Sequence, residues 1–140
     1  VGTGLAGHAA AIEAHRQGAR VTMIEKEARP GGNSAKATSG INGAWSSAQR
    51  DQGVNDSVDE FVDDTLRAGH HFNDEALVRT LTSQSKPALD WLAAFGLDLS
   101  ELSRCGGHSH ARTHRFRPDA EGRAPPVGWG IVTALAKHVA

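Results

Sequence analysis

Gly2-Thr3-Gly4-Leu5-Ala6-Gly7 stands at the head of the chain, and Arg20-Val21-Thr22-Met23-Ile24-Glu25 follows after one helical stretch. Their spacing decides the fold. From Leu5 to Gln17 alanines fill a helix, Leu5, Ala9, Ile12 and Arg16 mark one face, and Gly18 supplies the stop. The β-branched run from Arg20 to Glu25, bounded by turn residues, reads as a strand. Glycine turn, helix and strand make most of a βαβ unit whose first strand is missing, since only Val1 precedes Gly2. Each glycine has a physical task. Gly2 permits a tight strand-to-helix turn, Gly4 lets a pyrophosphate approach the backbone, and Gly7 lets the helix pack closely on a sheet. Free N–H groups and the positive end of the helix dipole suit negative phosphates. Glu25, 18 positions after Gly7 (25 − 7), is placed to accept from a ribose hydroxyl pair. A carboxylate there disfavours a 2′-phosphate, so FAD or NAD is expected ahead of NADP.

The remaining 115 residues (140 − 25) bound the molecule's class. A length of 140 residues fits one ordinary domain with a core, and 22% charged against 39% hydrophobic residues excludes a disordered polyelectrolyte. With 15 Lys and Arg against 16 Asp and Glu, no bulk charge draws the chain to nucleic acid or an anionic membrane. No apolar run approaches the roughly 18 residues that span a bilayer. Cys105 alone excludes an internal disulfide framework. The chain lacks an initiator Met and ends within a helical pattern over Ile131 to Ala140, which reads as a piece of a longer polypeptide, truncated at both ends.

From Ala28 to Gly53 a long stretch of Gly, Ser, Asn and Ala reads as a functional loop. Ser57-Val58-Asp59-Glu60 predicts a capping box opening a helix to about Ala68, stopped by Gly69. Asn73 or Asp74 caps the next helix, with Leu77, Val78 and Leu81 on one face. Pro87 sits early in a third, which presents Leu89, Leu92 and Phe95 and ends at Gly96. Cys105 to Val127 is irregular. The expected architecture is α/β, truncated at both ends: a Rossmann-like dinucleotide-binding unit and its following loop over residues 1–53, a helical segment over 54–104, and a last region over 105–140.

Two further blocks narrow the function. Pro30-Gly31-Gly32-Asn33-Ser34-Ala35-Lys36-Ala37-Thr38-Ser39-Gly40-Ile41-Asn42-Gly43 resembles the second flavin-contacting loop of the fumarate reductase/succinate dehydrogenase flavoprotein family, and within it the soluble fumarate reductases of fungi and trypanosomatids. Gly106-Gly107-His108-Ser109, with Arg112-Thr113-His114-Arg115, is similar to the GGHS…RTHR signature of those enzymes. The resemblance implies FAD as cofactor, with Gly2, Gly4, Leu5, Ala6 and Gly7 at the pyrophosphate, Glu25 at the adenosine ribose and Lys26 beside it. It places Gly32, Asn33, Ser34, Thr38, Ser39, Gly40, Ile41 and Asn42 along the pyrophosphate, ribityl chain and ring. Backbone N–H groups between such small residues can stabilise negative charge on a reduced flavin. Membrane-bound relatives attach FAD through a histidine in this loop; here Ser34 holds the matching position and no histidine occurs from Ala28 to Val54, which implies a non-covalent flavin.

The same resemblance makes His114 a contact for a carboxylate of a dicarboxylate such as fumarate, with Arg112 and Arg115 adding positive potential. A histidine can donate a hydrogen bond whether neutral or cationic. The implied reaction is hydride transfer from flavin N5, reducing fumarate to succinate. The main proton donor would be an arginine beyond Ala140, so no catalytic residue is assigned within the chain, and the electron donor is left open. Where some fumarate reductases carry Thr-Glu or Phe-Glu, this chain reads Trp129-Gly130. That departure keeps aspartate oxidase, ketosteroid dehydrogenase, and urocanate or acrylate reductase as alternatives on the same scaffold. A non-catalytic nucleotide- or metal-binding module is the remoter alternative.

Other groups have blander readings. Cys105, His108, His110 and His114 have spacings short enough for zinc, but a mixed set on one loop is uncommon and no metal is expected. His70-His71 at a helix end interacts with last-turn carbonyls. Asp63-Asp64 beside Glu60 reads as a solvated helix face, and Trp45, Trp91 and Trp129 as packing residues.

Overall fold

The computed structural model describes residues 2–70 and 72–139. Val1 at the opening turn, the second histidine of the His70–His71 pair and the last residue of the terminal helical pattern lie outside the described residues. The chain forms two compact units, Val1–Gly40 with Arg123–Ala140, and Ile41–Gly122.

The first unit is built on α1 (Leu5–Arg16), a 3₁₀ turn at Ser34–Lys36 and α6 (Val127–Ala136). Gln17 caps α1 and Gly18 turns away at φ +87°. The buried face of α1 is Gly7, His8, Ala11 and Ile12, whereas Arg16 of the expected stripe is exposed and Leu5 and Ala9 are half-buried. The apolar stripe of α1 is too alanine-rich to fix the helix's rotation, and packing against α6 sets it instead. The expected strand over Arg20–Glu25 does not form. Among the described residues no segment exchanges a ladder with it, and β-branched residues supply propensity but not a partner. Val21 and Ile24 are accordingly 41% and 70% exposed.

In the second unit, β1 (Ile41–Asn42), β2 (Glu101–Ser103) and β3 (Thr113–Arg115) form an antiparallel sheet in the order β1-β3-β2. His114 on the central strand faces Ile41 on one side and Leu102 on the other. Two strands therefore arise inside stretches expected to be irregular, β1 within Ala28–Gly53 and β3 within Cys105–Val127. The Ala28–Gly53 stretch also contains α2 (Ser47–Asp51), opened by a reciprocal capping box between Ser46 and Gln49.

α3 (Val58–Ala68) begins and ends as expected, on Ser57 and Gly69. Its box is only half made: Ser57 Oγ accepts from the Glu60 amide, while the Ser57 amide donates to Asp56. α4 (Glu75–Ser83) is capped by Asp74, and it buries Val78 and Thr82 rather than Leu77 and Leu81, which are exposed. α5 (Ser85–Ala93) buries Leu89 and Leu92, with Phe95 half-buried beyond it. Phe61, Val62, Val78, Leu89, Leu92 and Leu99 make the apolar core of this unit. The described parts thus mix helix and sheet, and no described helix is long and apolar enough to cross a membrane.

Candidate functional site

In the first unit the glycine turn, Glu25 and the 31–34 segment meet at Thr3, a residue that pattern reading passes over because it fills a variable position. Glu25 Oε2 accepts from the Thr3 amide at 2.9 Å and the Thr3 hydroxyl at 2.5 Å. The hydroxyl oxygen in turn accepts from the Gly31 amide at 3.1 Å. Glu25 Oε1 accepts from the Glu27 amide at 3.0 Å. The Thr3 hydroxyl and amide, then the Glu27 amide, hold the Glu25 carboxyl at about 2, so it is an ionised acceptor at every physiological pH.

α1 starts on Gly4 with no side-chain cap and no acidic residue in its first turn. The Leu5 amide donates to Ser34 Oγ at 3.1 Å, which ties the helix start to the Ser34 turn. A Cβ on Gly4 would lie 3.5 Å from Ser34 Oγ and 3.9 Å from the Gly31 carbonyl, filling the gap between helix and turn. These features fit a diphosphate: a positive helix end with no acidic residue in its first turn, a cradle a side chain would fill, and a carboxylate for the sugar. Gly31 is itself obligatory, since it sits at φ +107° and a Cβ would come 2.6 Å from that of Ala35.

Beside this turn lies a cleft of about 1160 Å³ lined by Glu25, Lys26, Gly32, Asn33, Lys36, Trp129 and Lys137 among others. Glu25, Lys26, Gly32 and Asn33 of the expected cofactor set line it; Gly2, Gly4, Leu5, Ala6, Gly7 and Ser34 belong to the helix start and the turn that bonds to it. Thr38 and Ser39 are exposed and Gly40 is half-buried at φ +136°. Trp129 is 53% exposed on this cleft rather than packed in a core.

Ile41 and Asn42 lie in the second unit. The Asn42 side-chain oxygen accepts from the Thr113 hydroxyl at 2.7 Å. His114 is only 2% exposed. Burial pushes its pKa below the ordinary histidine value, with the Arg112 and Ile41 carbonyls opposing, so the ring is neutral. Its two nitrogens meet the Arg112 carbonyl at 2.9 Å and Ser46 Oγ at 2.7 Å. A cleft of about 200 Å³ on this side carries Asp51, Asp90 and Asp98 and no Lys or Arg, so it offers an anion no cation.

Arg112 does not supply one either. Its guanidinium is fully buried, with Nε and Nη2 donating to Asp56 at 3.0 and 2.6 Å and Nη1 to Asp64 at 2.7 Å. The Phe61 ring lies 4.7 Å beneath it. Two carboxylates thus neutralise the charge expected to attract substrate; Arg115 alone of the pair is exposed. Asp64 likewise departs from its expected solvated face. Burial pushes its pKa up, but the Ser109 amide and hydroxyl, Arg112 and Arg67 prevail and hold it at about 2. Asp56 escaped sequence reading altogether, because nothing local marks a carboxylate whose partner lies 56 residues away. His70 carries a positive φ of 48°, and its amide donates to the Arg67 carbonyl at 3.2 Å, ending α3 through the backbone.

Among the described residues, ligand atoms of Asp56, Glu60 and His110 come within 4.8 Å of one another. Asp56 is already committed to Arg112, and His110 Nε2 pairs with Glu60 at 3.0 Å. His108, His110, His114 and Cys105 form no such group among the described residues.

Comparison with known proteins places these features in context. A family model described as FAD binding domain matches residues 1–140. A protein named fumarate reductase from Schizosaccharomyces pombe (strain 972 / ATCC 24843) is 46% identical over 142 residues, covering 100% of this chain and 27% of its own length. The fumarate reductase (cytochrome) of Shewanella frigidimarina is 44% identical over 115 residues, covering 82% of this chain and 20% of its own. The solved open conformation of a flavocytochrome c3 fumarate reductase superposes with a TM-score of 0.89 at 35% identity, over 98% of this chain and 23% of that one. The chain therefore spans between a fifth and just over a quarter of the length of these three relatives.

Proposed function

This chain belongs to the FAD binding domain family, and from that premise we propose that it holds FAD non-covalently within an oxidoreductase that reduces fumarate to succinate. The observation that carries this reading is the junction at Thr3, where the uncapped start of α1, an ionised Glu25 and the Gly31 turn are tied together. Residues 1–53 carry the nucleotide and flavin contacts in a Rossmann-like unit, and 105–140 open the substrate region. Gly2, Gly4, Leu5, Ala6 and Gly7 face the pyrophosphate, Glu25 accepts from the ribose hydroxyls, and Lys26 flanks them. Gly32, Asn33, Ser34 and the run Thr38 to Asn42 line the flavin. A histidine-free loop supports non-covalent attachment. When bound, FAD supplies hydride chemistry at its ring. The chain's residues orient and neutralise: Glu25 fixes the sugar, and His114 contacts a substrate carboxylate.

Glu25→Ala and His114→Gln, made in the full-length protein, separate the two halves. Loss of a charge-assisted pair of hydrogen bonds, on the order of 1.5–3 kcal/mol, makes Glu25→Ala weaken FAD binding by roughly tenfold or more. His114→Gln leaves the flavin spectrum intact and raises KM for fumarate. A protein that is colourless and takes up no supplied FAD overturns the proposal.

Gly130 favours a second reading. It is half-buried in α6 and has no side chain where some fumarate reductases carry a substrate-site glutamate. A different alkene, as in the urocanate, acrylate or ketosteroid enzymes of this scaffold, or an aspartate oxidase, then replaces fumarate. A panel of those substrates distinguishes them.

A further inference from the structure

His114 is gripped on both ring nitrogens, with the Ile41 carbonyl a further acceptor beside the ring. Nδ1 lies 2.9 Å from the Arg112 carbonyl, which can only accept, so Nδ1 carries the hydrogen. Nε2 of the neutral ring is then a lone pair, 2.7 Å from Ser46 Oγ. That oxygen already accepts from the Gln49 amide at 3.1 Å, which leaves its single hydroxyl proton for Nε2.

The surroundings close a ring. The Ser46 amide donates to Gln49 Oε1 at 3.1 Å, which sets the orientation of the carboxamide. Gln49 Nε2 consequently donates to Asp56 Oδ2 at 2.8 Å and to the Ala111 carbonyl at 3.0 Å. Asp56 is clamped by Nε and Nη2 of Arg112, whose own carbonyl returns to His114. Ser46, Gln49, Asp56, Arg112 and His114 are each at most 5% exposed, so water does not compete for these bonds.

We infer that Ser46, Gln49 and Asp56 are positioning residues for His114: with Arg112 they form a closed hydrogen-bonded ring that holds its imidazole in the Nδ1–H form, with Nε2 accepting from the Ser46 hydroxyl. The functional weight of this device rests on the reading of His114 as a carboxylate contact; its geometry does not. A histidine in this state presents no free N–H, so a carboxylate contact requires Nε2 to take up a proton and to part from the Ser46 hydroxyl.

The test uses the full-length, FAD-loaded protein labelled with ¹⁵N-histidine, with His114→Gln to assign its resonances. The wild type shows one protonated and one hydrogen-bonded unprotonated ring nitrogen. Ser46→Ala removes the donor, moves the Nε2 resonance and mixes the tautomers, while Ser46→Thr restores the wild-type pattern. Ser46→Asp keeps a cap on α2 but has no hydroxyl proton, so His114 becomes doubly protonated in a protein that still folds. An unchanged ¹⁵N pattern in both Ser46→Ala and Ser46→Asp overturns the inference, even if stability falls. Steady-state kinetics on the same proteins separate the two readings. Freeing Nε2 to carry a hydrogen toward the carboxylate lowers KM for fumarate about fivefold in Ser46→Ala, the worth of one hydrogen bond, with little change in kcat. Shifted nitrogens with an unaltered KM uphold the ring and overturn the carboxylate role of His114.

Discussion

Arg112 shows how a single side chain can reverse its expected part. An arginine next to a substrate-contacting histidine suggests an anion trap, yet this one spends all three nitrogens on Asp56 and Asp64. Its charge is internal, and the burial of two carboxylates depends on it. Removing one partner of such a set leaves uncompensated buried charge. Arg112→Ala is therefore expected to destabilise the protein by about 3–5 kcal/mol, read from urea unfolding midpoints. Arg112→Lys recovers only part of this, since an ammonium cannot bond Asp56 bidentately while reaching Asp64. A loss below about 1 kcal/mol in Arg112→Ala would show that the cluster contributes little.

At the scale of elements, α6 does more than close the first unit. Its Gly128 amide donates to the Ala37 carbonyl at 2.9 Å, and a Cβ there would fall 1.8 Å from the Ser34 carbonyl. The helix thus rests directly on the backbone of the 3₁₀ turn that offers Ser34 Oγ to α1. Gly128→Ala must push that turn away, breaking the Leu5–Ser34 bond. The expected outcome is weaker FAD retention in the full-length protein, measured by fluorescence of flavin released on dilution. Gly122→Ala is the control: its Cβ meets nothing within 4 Å, and the cost there is confined to its φ of +77°. Capping follows a similar logic. Ser57 caps as its sequence signal indicates and Asp74 is the one of its two candidates that caps, while Glu60 Oε2 accepts from the Ser57 hydroxyl at 3.1 Å instead of its amide and Oε1 pairs with His110.

For the whole molecule, acid stability follows from the depressed carboxylates. Asp64 at about 2 lies below the ordinary aspartate value of 3.8, so the ionised form is favoured by folding. A depressed folded value gives stability that is complete above the unfolded pKa and disappears as pH falls through the folded one. Glu25, also at about 2 against 4.5, acts in the same direction. Thermal melts should fall between pH 4.5 and 2. Asp64→Asn should be less stable at neutral pH and lose up to about one proton from that slope. An identical slope in wild type and Asp64→Asn would remove Asp64 from the explanation.

The sequence by itself determined the local devices: the glycine turn with its acid 18 positions after Gly7, the cap at Ser57, a second cap at Asn73 or Asp74, and the stops at Gly18, Gly69 and Gly96. These are legible because turns, caps and phosphate cradles are satisfied by residues a few positions apart. The resemblance carried by Pro30–Gly43 and Gly106–Arg115 was equally legible, and the family match agrees with it. Only the tertiary structure decided that Arg20–Glu25 lacks a ladder, that α4 buries Val78 and Thr82, and that Asp56, Asp64 and Arg112 neutralise one another. Those outcomes turn on partners 45 to 56 residues distant, and on which face of a helix finds a neighbour. Propensity and periodicity describe a segment alone, whereas burial and ion pairing are properties of two segments brought together.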